Sequence, residues 1–419
     1  MGLLTELQEE HKKDGLLSGE AVGVSYPLGF PILDEQLGYI QEIELPDGSI
    51  HTQIQRGVPA GTITLFAGPS SSGKTAAAIQ AGYNIIEPYG EDSSLVIFDA
   101  EHSTTPQRIM DLTGIDKYEY NERIMLCNSP EQNTIEGSLK IITEICNKKE
   151  EDKKRFTYNT GFKDIITGED IHYYLPTTVV IDSLMKIEPE EMLKDMDKID
   201  GLTIHGRNTI KRNLWLSKLI VLASKYNINI IVINHLGNDF GMSQPGQAPK
   251  GKSLTYMPTG KSMPGGDKVE YYMSTLVLWT PINSKDGIKT EEENGYNGNP
   301  VKVTITKSRT GPGGKTAIME FIQESGYDQR LTLLNLAKSE GLIAGRNPSC
   351  YFASHPDVKF DTRKFLDEMS NNPEIVKTLF TECKPILRSL LRQPAKDDDF
   401  IRGSSSKKMA RDLTRSLYD

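Results

Sequence analysis

Residues 68–75 have the pattern of a phosphate-binding loop, with the sequence Gly68-Pro69-Ser70-Ser71-Ser72-Gly73-Lys74-Thr75. An apolar segment at 63–67 precedes the loop, and a helical pattern at 75–83 follows it. In such a strand–loop–helix unit, backbone N–H groups of the loop and the N-terminus of the helix surround phosphate oxygens. Lys74 would reach the terminal phosphates, and the Thr75 hydroxyl would bind Mg²⁺. The loop therefore predicts a site for a nucleoside triphosphate with magnesium.

A second apolar segment ends in a carboxylate that would support the metal. It reads Val179-Val180-Ile181-Asp182-Ser183, and Asp182 stands where α/β sheets place their ligands. In proteins with a phosphate loop, an Asp at a strand end holds Mg²⁺. An apolar segment that ends in Asp is a weak signal by itself, so the prediction for Asp182 depends on its combination with Lys74 and Thr75.

A third strand pattern, at 95–99, is followed by Ala100-Glu101-His102. Hydrolysis of a phosphoanhydride requires a water in line with the γ-phosphate, and a carboxylate at a neighbouring strand end can orient that water. We predict this role for Glu101. The alternative is that Asp99 and Glu101 only cap the next helix, although residues 103–106 offer better capping side chains.

These residues require an α/β fold to position them. Continuous apolar strands that alternate with helical patterns predict a mostly parallel sheet covered by helices on both faces. The predicted strands are 63–67, 95–99, 123–127, 178–182, 228–234, 274–279 and 301–307.

Three regions follow one another along the 419 residues. Residues 1–55 contain a short polar helix pattern and a predicted hairpin turn at Pro46-Asp47-Gly48, and they are too few for a core of their own. Residues 56–322 hold the predicted sheet. Residues 323–419 are mainly helical in pattern and end in a charged tail that we expect to be flexible.

The composition is typical of a soluble intracellular protein, because no apolar segment is long enough to cross a bilayer and no signal-peptide pattern is present. We therefore expect a cytoplasmic location. The four cysteines are widely spaced, which argues against a zinc site or a disulfide framework. The net charge of -9 lacks the basic excess of many nucleic-acid-binding proteins, so any contact with a polyanion must be local.

In order and spacing, the phosphate loop, Asp99-Ala100-Glu101-His102 and Ile181-Asp182-Ser183 resemble the RecA recombinases, and more specifically the phage UvsX-type branch. The resemblance covers nearly the whole chain. It includes residues 30–34, 56–61, 233–235, 307–310, 365–367 and 372–374. It implies a RecA-like P-loop ATPase core (56–322), a short N-terminal oligomerisation segment (1–55) and a small, mainly helical C-terminal domain (323–419).

The resemblance also implies an activity. It is that of a DNA-dependent ATPase that uses ATP and Mg²⁺, forms helical filaments on single-stranded DNA and pairs that strand with homologous duplex DNA. The resemblance leaves open whether single-strand-binding and mediator proteins are further partners. If the phage branch is the right one, the location is the cytoplasm of the host.

Individual roles follow from the same resemblance. His235 matches a side chain that senses the γ-phosphate, whereas without the resemblance it would be read as a hydrogen-bonded histidine at a strand end. Lys307 and Arg309 correspond to cations that reach the ATP of a neighbouring subunit, a role that depends entirely on the resemblance. Arg108 stands where the family commonly has a tyrosine against the adenine, which leaves the nucleotide preference open.

The resemblance places DNA contacts in two segments, 196–212 and 236–266. Cations would neutralise phosphates and Ile204 would insert between bases, and the alternative for the first segment is a solvated helix start. The second segment is polar, locally basic and longer than is usual in the family, so its individual contacts stay open. The candidates are Ile204, His205, Arg207, Lys211, Arg212, Phe240, Met242, Lys250, Lys252 and Lys261.

Two other classes of function share these motifs. One is a ring-forming DNA motor of the DnaB or RadA type, which the lack of a zinc CxxC motif disfavours. The other is an ATP-gated scaffold that does not catalyse hydrolysis, in which Glu101 would be structural. The C-terminus carries mixed charges where RecA and UvsX proteins end strongly acidic, so we expect regulation by a mobile acidic tail to be weaker here.

Overall fold

The computed structural model describes residues 23–45, 47–164, 168–194, 201–238, 261–262, 269–282 and 297–393, without the side chains of 193–194, 201–207, 237–238 and 261–262. The strands are β1 (Ser25–Tyr26), β2 (Tyr39–Glu44), β3 (Ile50–Gln55), β4 (Val58–Pro59), β5 (Ile63–Gly68), β6 (Leu95–Asp99), β7 (Ile124–Cys127), β8 (Thr157–Lys163), β9 (Asp170–Tyr174), β10 (Thr177–Asp182), β11 (Ile228–His235), β12 (Gly237–Asn238), β13 (Lys261–Ser262), β14 (Thr275–Pro281), β15 (Gly298–Ser308), β16 (Thr316–Ile322), β17 (Gly326–Asp328), β18 (Ile343–Arg346), β19 (Ser349–Phe352) and β20 (His355–Phe360). The α-helices are α1 (Pro31–Leu37), α2 (Lys74–Ile86), α3 (Pro106–Thr113), α4 (Lys117–Arg123), α5 (Ile135–Glu151), α6 (Lys153–Phe156), α7 (Glu190–Lys194), α8 (Gly201–Tyr226), α9 (Val269–Tyr272), α10 (Gln329–Ser339), α11 (Phe365–Asn371) and α12 (Pro373–Ser389).

The largest sheet in the described part of the chain has nine strands in the order β17-β16-β15-β14-β5-β11-β10-β6-β7. Neighbouring strands from β14 to β7 are parallel, and β15, β16 and β17 continue the sheet as antiparallel strands. All seven predicted strands are present in it. The predicted α/β fold with a mostly parallel central sheet is therefore confirmed.

Both faces of the sheet are buried, which explains why its central strands are continuously apolar. Phe66 and Val180 pack into one apolar core with α1, α2 and α3. Their chain neighbours Leu65 and Val179 point to the opposite face, into a second core that includes Trp215 of α8 together with residues of α5. Because successive side chains of a strand alternate between faces, a sheet with helices on both sides requires apolar residues at every position.

Two antiparallel strands of the sheet were not predicted from the sequence. β16 lies near the edge and alternates exposed and buried residues, while β17 is only three residues long. Both give weak local signals. Because β17 lies beyond residue 322, the sheet extends past the end that the sequence suggested for the core.

The predicted hairpin turn in the N-terminal region is present, although Pro46 itself lies outside the described residues. β2 pairs with β3, the Gly48 N–H donates to the Leu45 carbonyl at 2.8 Å, and Asp47 Oδ1 accepts from the Ser49 N–H at 2.9 Å. The helix expected before residue 23 and the charged tail also fall outside the described residues.

The chain after β17 forms its own small core. Helices α10, α11 and α12 pack with a three-stranded antiparallel sheet, β18-β19-β20, around Phe352, Phe360 and Phe365. This sheet is an addition to the mainly helical region that the sequence predicted. Within the described ranges, no helix is both long and apolar enough to cross a membrane.

Candidate functional site

The phosphate loop connects the carboxyl end of β5 to the first residue of α2, as its sequence predicts. Gly73 precedes the helix with a φ of 77°, a left-handed conformation that glycine adopts without steric cost. Gly68 is constrained differently, since an added Cβ would lie 2.3 Å from the carbonyl oxygen of Trp279. Both glycines are therefore required by the backbone geometry of the loop.

Lys74 is folded back against the loop and is only 4% exposed. Its Nζ donates to the Pro69 carbonyl at 2.6 Å and to Ser72 Oγ at 3.2 Å. Burial lowers the pKa of Lys74 to about 8, and the nearby negative charges of Asp182 and Glu101 partly oppose that change. A bound phosphate would add negative charge beside this ammonium group and favour its charged form.

Thr75 and Asp182 form the corner where a metal ion would bind. The Thr75 hydroxyl donates to Asp182 Oδ2 at 2.6 Å, and burial raises the pKa of Asp182 to about 6. Mg²⁺ prefers oxygen ligands and usually takes one or two from protein, with the rest from phosphates and water. The described residues contain no cluster of three or more His, Cys, Asp or Glu side chains that could enclose a metal by themselves. The corner therefore fits Mg²⁺ held jointly by protein, phosphate and water.

Glu101 lies at the centre of a hydrogen-bonded group at the same edge of the sheet. Its Oε1 accepts from the Ser183 hydroxyl at 2.8 Å and lies 3.0 Å from His235 Nε2. Burial alone would raise the pKa of Glu101, but the hydrogen bonds from Ser183 and His235 outweigh it, so the pKa lies below its ordinary value. On its other side, His235 Nδ1 lies 3.5 Å from Ser70 Oγ of the phosphate loop. His235 thus stands between Glu101 and the loop.

Asp99 and Glu101 have different surroundings, although both follow the same strand. The buried Asp99 carboxylate accepts from the N–H groups of Ser103 and Thr104 at 3.2 and 2.8 Å. Thr105 is the cap of α3. Asp99 therefore holds the turn that precedes α3 and does not cap the helix, whereas Glu101 lines the cleft.

A cleft of about 630 Å³ extends from the phosphate loop to the turn between β16 and β17. It brings together most of the residues predicted for nucleotide binding, namely Ser70, Ser71, Ser72, Gly73, Lys74, Thr75, Glu101, Arg108 and His235. Its far wall consists of Leu112, Asn299, Phe321 and Gln323. No sequence motif marked this wall, since three of its residues lie on or beside strands far along the chain.

Arg108 lies on the rim of this cleft, in α3. Its Nη1 donates to the carbonyl oxygen of Glu324 at 2.5 Å, which ties α3 to the turn between β16 and β17. The guanidinium group is therefore close to the end of the cleft away from the phosphate loop.

Lys307 and Arg309 do not line the cleft of their own chain. Lys307 Nζ donates to the carbonyl oxygen of Glu270, and Arg309 Nη2 donates to that of Tyr271 at 3.2 Å. Burial and the neighbouring Arg309 charge lower the pKa of Lys307. Arg309 is exposed, so its side chain is accessible to another molecule.

Only part of the predicted DNA-binding surface falls within the described residues. Lys211 Nζ forms an ion pair with Glu191 at 2.8 Å, and Arg212 is 5% exposed with its Nη1 3.9 Å from the Met185 sulfur. The burial of Arg212 does not support a phosphate contact from this residue. Ile204, His205 and Arg207 lie in α8, but their side chains are outside the description.

The second predicted DNA-binding segment is described only at residues 236–238 and 261–262. β12 follows His235 after one residue and pairs with β13, which begins at Lys261. Phe240, Met242, Lys250 and Lys252 lie outside the described residues, as does the Lys261 side chain.

The chain is similar to RecA proteins over most of its length. It is 23% identical over 370 residues to Protein RecA from Thermotoga neapolitana, which covers 86% of this chain and 89% of that protein. It is 25% identical over 310 residues to Protein RecA from Xanthomonas axonopodis pv. citri, covering 73% and 74%. The match to Protein RecA from Chlorobaculum tepidum is 25% identical over 341 residues and covers 81% and 78%. No family model matches the chain.

Proposed function

We propose that this chain is a recombinase of the RecA family, which hydrolyses ATP in a DNA-dependent manner and assembles as a helical filament on single-stranded DNA. The observation that carries the proposal is the convergence of Lys74, Thr75 and Glu101 on one cleft beside a phosphate loop, with the buried Asp182 hydrogen-bonded to Thr75 behind it. The similarity to RecA proteins along most of the chain supports the choice of family. Assignment to the phage UvsX-type branch rests on the motif resemblance alone.

Each group of residues at the cleft has a separate role in ATP hydrolysis. The loop backbone and Lys74 bind the phosphates, while Thr75 and Asp182 hold Mg²⁺, which when bound would neutralise phosphate charge. Glu101 accepts a hydrogen bond from the attacking water and holds that water in line with the γ-phosphate. Because hydrogen bonds from Ser183 and His235 keep Glu101 ionised, the carboxylate is ready to act as this acceptor.

His235 is the proposed link between nucleotide and DNA. It lies between Ser70 of the phosphate loop and Glu101, and β12 at the start of the second DNA-binding segment follows after one residue. A γ-phosphate that changed the hydrogen bonds of His235 would therefore act directly on the end of that segment. Reciprocal strengthening of ATP and DNA binding follows from such a coupling.

Lys307 and Arg309 are proposed to complete the cleft of a neighbouring subunit. Neither lines the cleft of its own chain, and Arg309 is exposed. In trans they would stabilise negative charge that develops on the phosphates, as arginine fingers do. Homologous pairing and strand exchange would then take place in a filament that ATP binding assembles and ATP hydrolysis takes apart.

Electron microscopy of negatively stained protein tests this proposal and separates it from a ring-forming DnaB- or RadA-type motor. The full chain is imaged with a slowly hydrolysed ATP analogue and Mg²⁺, with and without a single-stranded oligonucleotide. We expect helical filaments that require both ligands, and phosphate release from ATP that rises when the oligonucleotide is added. Rings would favour the motor, and particles that stay monomeric with both ligands would exclude the recombinase.

The Lys74→Ala variant is the matched control for this experiment. It removes the ammonium group that the phosphate loop holds, and it should therefore abolish both the filaments and the phosphate release. Filaments that persist in this variant would show that assembly does not depend on the nucleotide.

A further inference from the structure

Tyr327, in β17, lies behind the phosphate loop and outside the lining of the cleft. Its hydroxyl donates to the carbonyl oxygen of Ser72 at 3.1 Å. The side chain is 4% exposed, and burial raises the pKa of the hydroxyl above its ordinary value, so the group stays protonated and can donate. Its ring packs against Phe30, Trp279 and Phe321.

This hydrogen bond fixes the orientation of the peptide unit between Ser72 and Gly73. The peptide bond is trans, so its C=O and N–H groups point in opposite directions. Because the Ser72 carbonyl points towards Tyr327, the Gly73 N–H points away from it. Backbone N–H groups of such loops are the donors that contact phosphate oxygens. Tyr327 therefore sets the direction of one backbone donor of the phosphate loop from outside the lining of the cleft.

The loop needs such support because its backbone is not in a relaxed conformation. Ser71 has a φ of 58°, which is unfavourable for a residue with a side chain. Conformations of this kind persist when surrounding contacts hold them. An added Cβ at Gly73 would lie 2.5 Å from the Tyr327 hydroxyl oxygen, so the tyrosine packs directly under the loop.

Tyr327 is in turn held by α2, the helix that follows the phosphate loop. Gln80, in α2, accepts from the Tyr327 N–H at 2.8 Å through Oε1 and donates to the Tyr327 carbonyl at 3.2 Å through Nε2. The Gln80 side chain therefore forms hydrogen bonds with both the N–H and the C=O group of Tyr327. The hydroxyl of Tyr327 is thus fixed relative to both the loop and α2.

We propose that Tyr327 is a positioning residue for nucleotide binding, whose hydroxyl holds the Gly73 N–H in its phosphate-binding direction before the triphosphate arrives. The inference rests on the proposed function, because it presupposes that the cleft binds a nucleoside triphosphate. Tyr327 would act through the loop backbone, because its hydroxyl donates to the Ser72 carbonyl and its side chain does not line the cleft.

Replacing Tyr327 with Phe removes the hydroxyl and keeps the ring contacts. Tyr173→Phe is the matched control, since the Tyr173 hydroxyl is buried and donates to the carbonyl oxygen of Ser224, away from the cleft. Calorimetry measures the Kd of each full-length variant for a slowly hydrolysed ATP analogue with Mg²⁺. We expect about a three- to tenfold weaker Kd for Tyr327→Phe, the range for losing one hydrogen bond, and an unchanged Kd for Tyr173→Phe. The KM for ATP should rise more than kcat falls.

An unchanged Kd in Tyr327→Phe, or a loss no larger than that of Tyr173→Phe, would overturn the inference. Gln80→Met serves as a second variant should Tyr327→Phe not fold, because it releases the β17 backbone and keeps the hydroxyl. It should weaken the Kd about threefold, and an unchanged value would also count against the inference. Wild-type protein that fails to bind the analogue would remove the proposed function, and this inference with it.

Discussion

The Nε2 atom of His235 lies 3.0 Å from Oε1 of Glu101, and the same carboxylate oxygen accepts from the Ser183 hydroxyl. The two residues come from different strands, since His235 ends β11 and Glu101 follows β6. Strand β10, which ends at Asp182, lies between β11 and β6 in the sheet, and the side chains of His235 and Glu101 meet over it. The proposed water-positioning acid and the proposed phosphate sensor are therefore one hydrogen-bonded unit, and a change in either affects the other.

The pH dependence of ATP hydrolysis should move when His235 is replaced. Hydrogen bonds from Ser183 and His235 lower the pKa of Glu101, so the active carboxylate persists as the pH falls until that lowered pKa is reached. In His235→Ala one of these bonds is lost and the pKa of Glu101 rises. With saturating ATP and Mg²⁺, where a bound cation would keep Asp182 ionised, we therefore expect the acidic limb of kcat to shift to higher pH. The exposed His172→Ala is the control, and an acidic limb at the wild-type position would contradict the coupling.

Glu101→Gln should separate hydrolysis from binding. The amide keeps the size of the side chain but cannot accept a proton from water, so we expect kcat to fall by about 10²- to 10⁴-fold. Binding of the ATP analogue and of single-stranded DNA should persist, as measured by calorimetry and fluorescence anisotropy. Glu340→Gln, in the C-terminal part, is the control. Turnover that equals the wild-type rate would make Glu101 structural and favour the ATP-gated scaffold.

The site was largely predictable because its motifs stand at strand ends whose order follows from the fold. Gly68 is in register with His235, and Asp182 with Asp99, so local patterns in separate strands converge on one edge. The far wall of the cleft and Tyr327 could not be found in this way. Apart from Leu112 in α3, they lie on or beside antiparallel strands whose position against α2 depends on contacts such as that of Gln80 with Tyr327, which no local pattern encodes. Arg212 was predicted to contact DNA because it is a cation in a polar segment, but tertiary packing buries its side chain.

Asp182→Asn should stabilise the nucleotide-free protein and remove its response to magnesium. Burial raises the pKa of Asp182 to about 6 from a usual 3.8, so the folded state holds the proton more tightly than the unfolded state. Ionisation at pH 7.5 therefore costs about 2–3 kcal/mol of stability, and this penalty disappears as the pH falls below about 4. The neutral amide avoids the penalty but is a weaker ligand for Mg²⁺.

Thermal unfolding at pH 7.5, with and without Mg²⁺ and the ATP analogue, measures both effects of Asp182→Asn. We expect a higher midpoint than wild type without ligands and a smaller increase with them. Asp99→Asn, at the neighbouring strand end, should instead lower the midpoint, because its carboxylate accepts two backbone N–H bonds. A ligand-free midpoint below wild type for Asp182→Asn would show that ionised Asp182 stabilises the fold.

A mixing experiment tests whether Arg309 acts on the cleft of a neighbouring subunit. Arg309 is exposed and does not line its own cleft, so Arg309→Ala and Glu101→Gln should each be inactive for different reasons. In a mixed filament, an intact site forms where a Glu101→Gln subunit supplies Arg309 to the cleft of an Arg309→Ala subunit. With head-to-tail contacts and equal amounts, about a quarter of the interfaces are intact, so about a quarter of the wild-type rate of phosphate release should return.

The control replaces the Glu101→Gln partner with the double variant, which supplies neither group and should restore nothing. Mixtures of the single variants that stay inactive although they co-assemble would place Arg309 outside the mechanism.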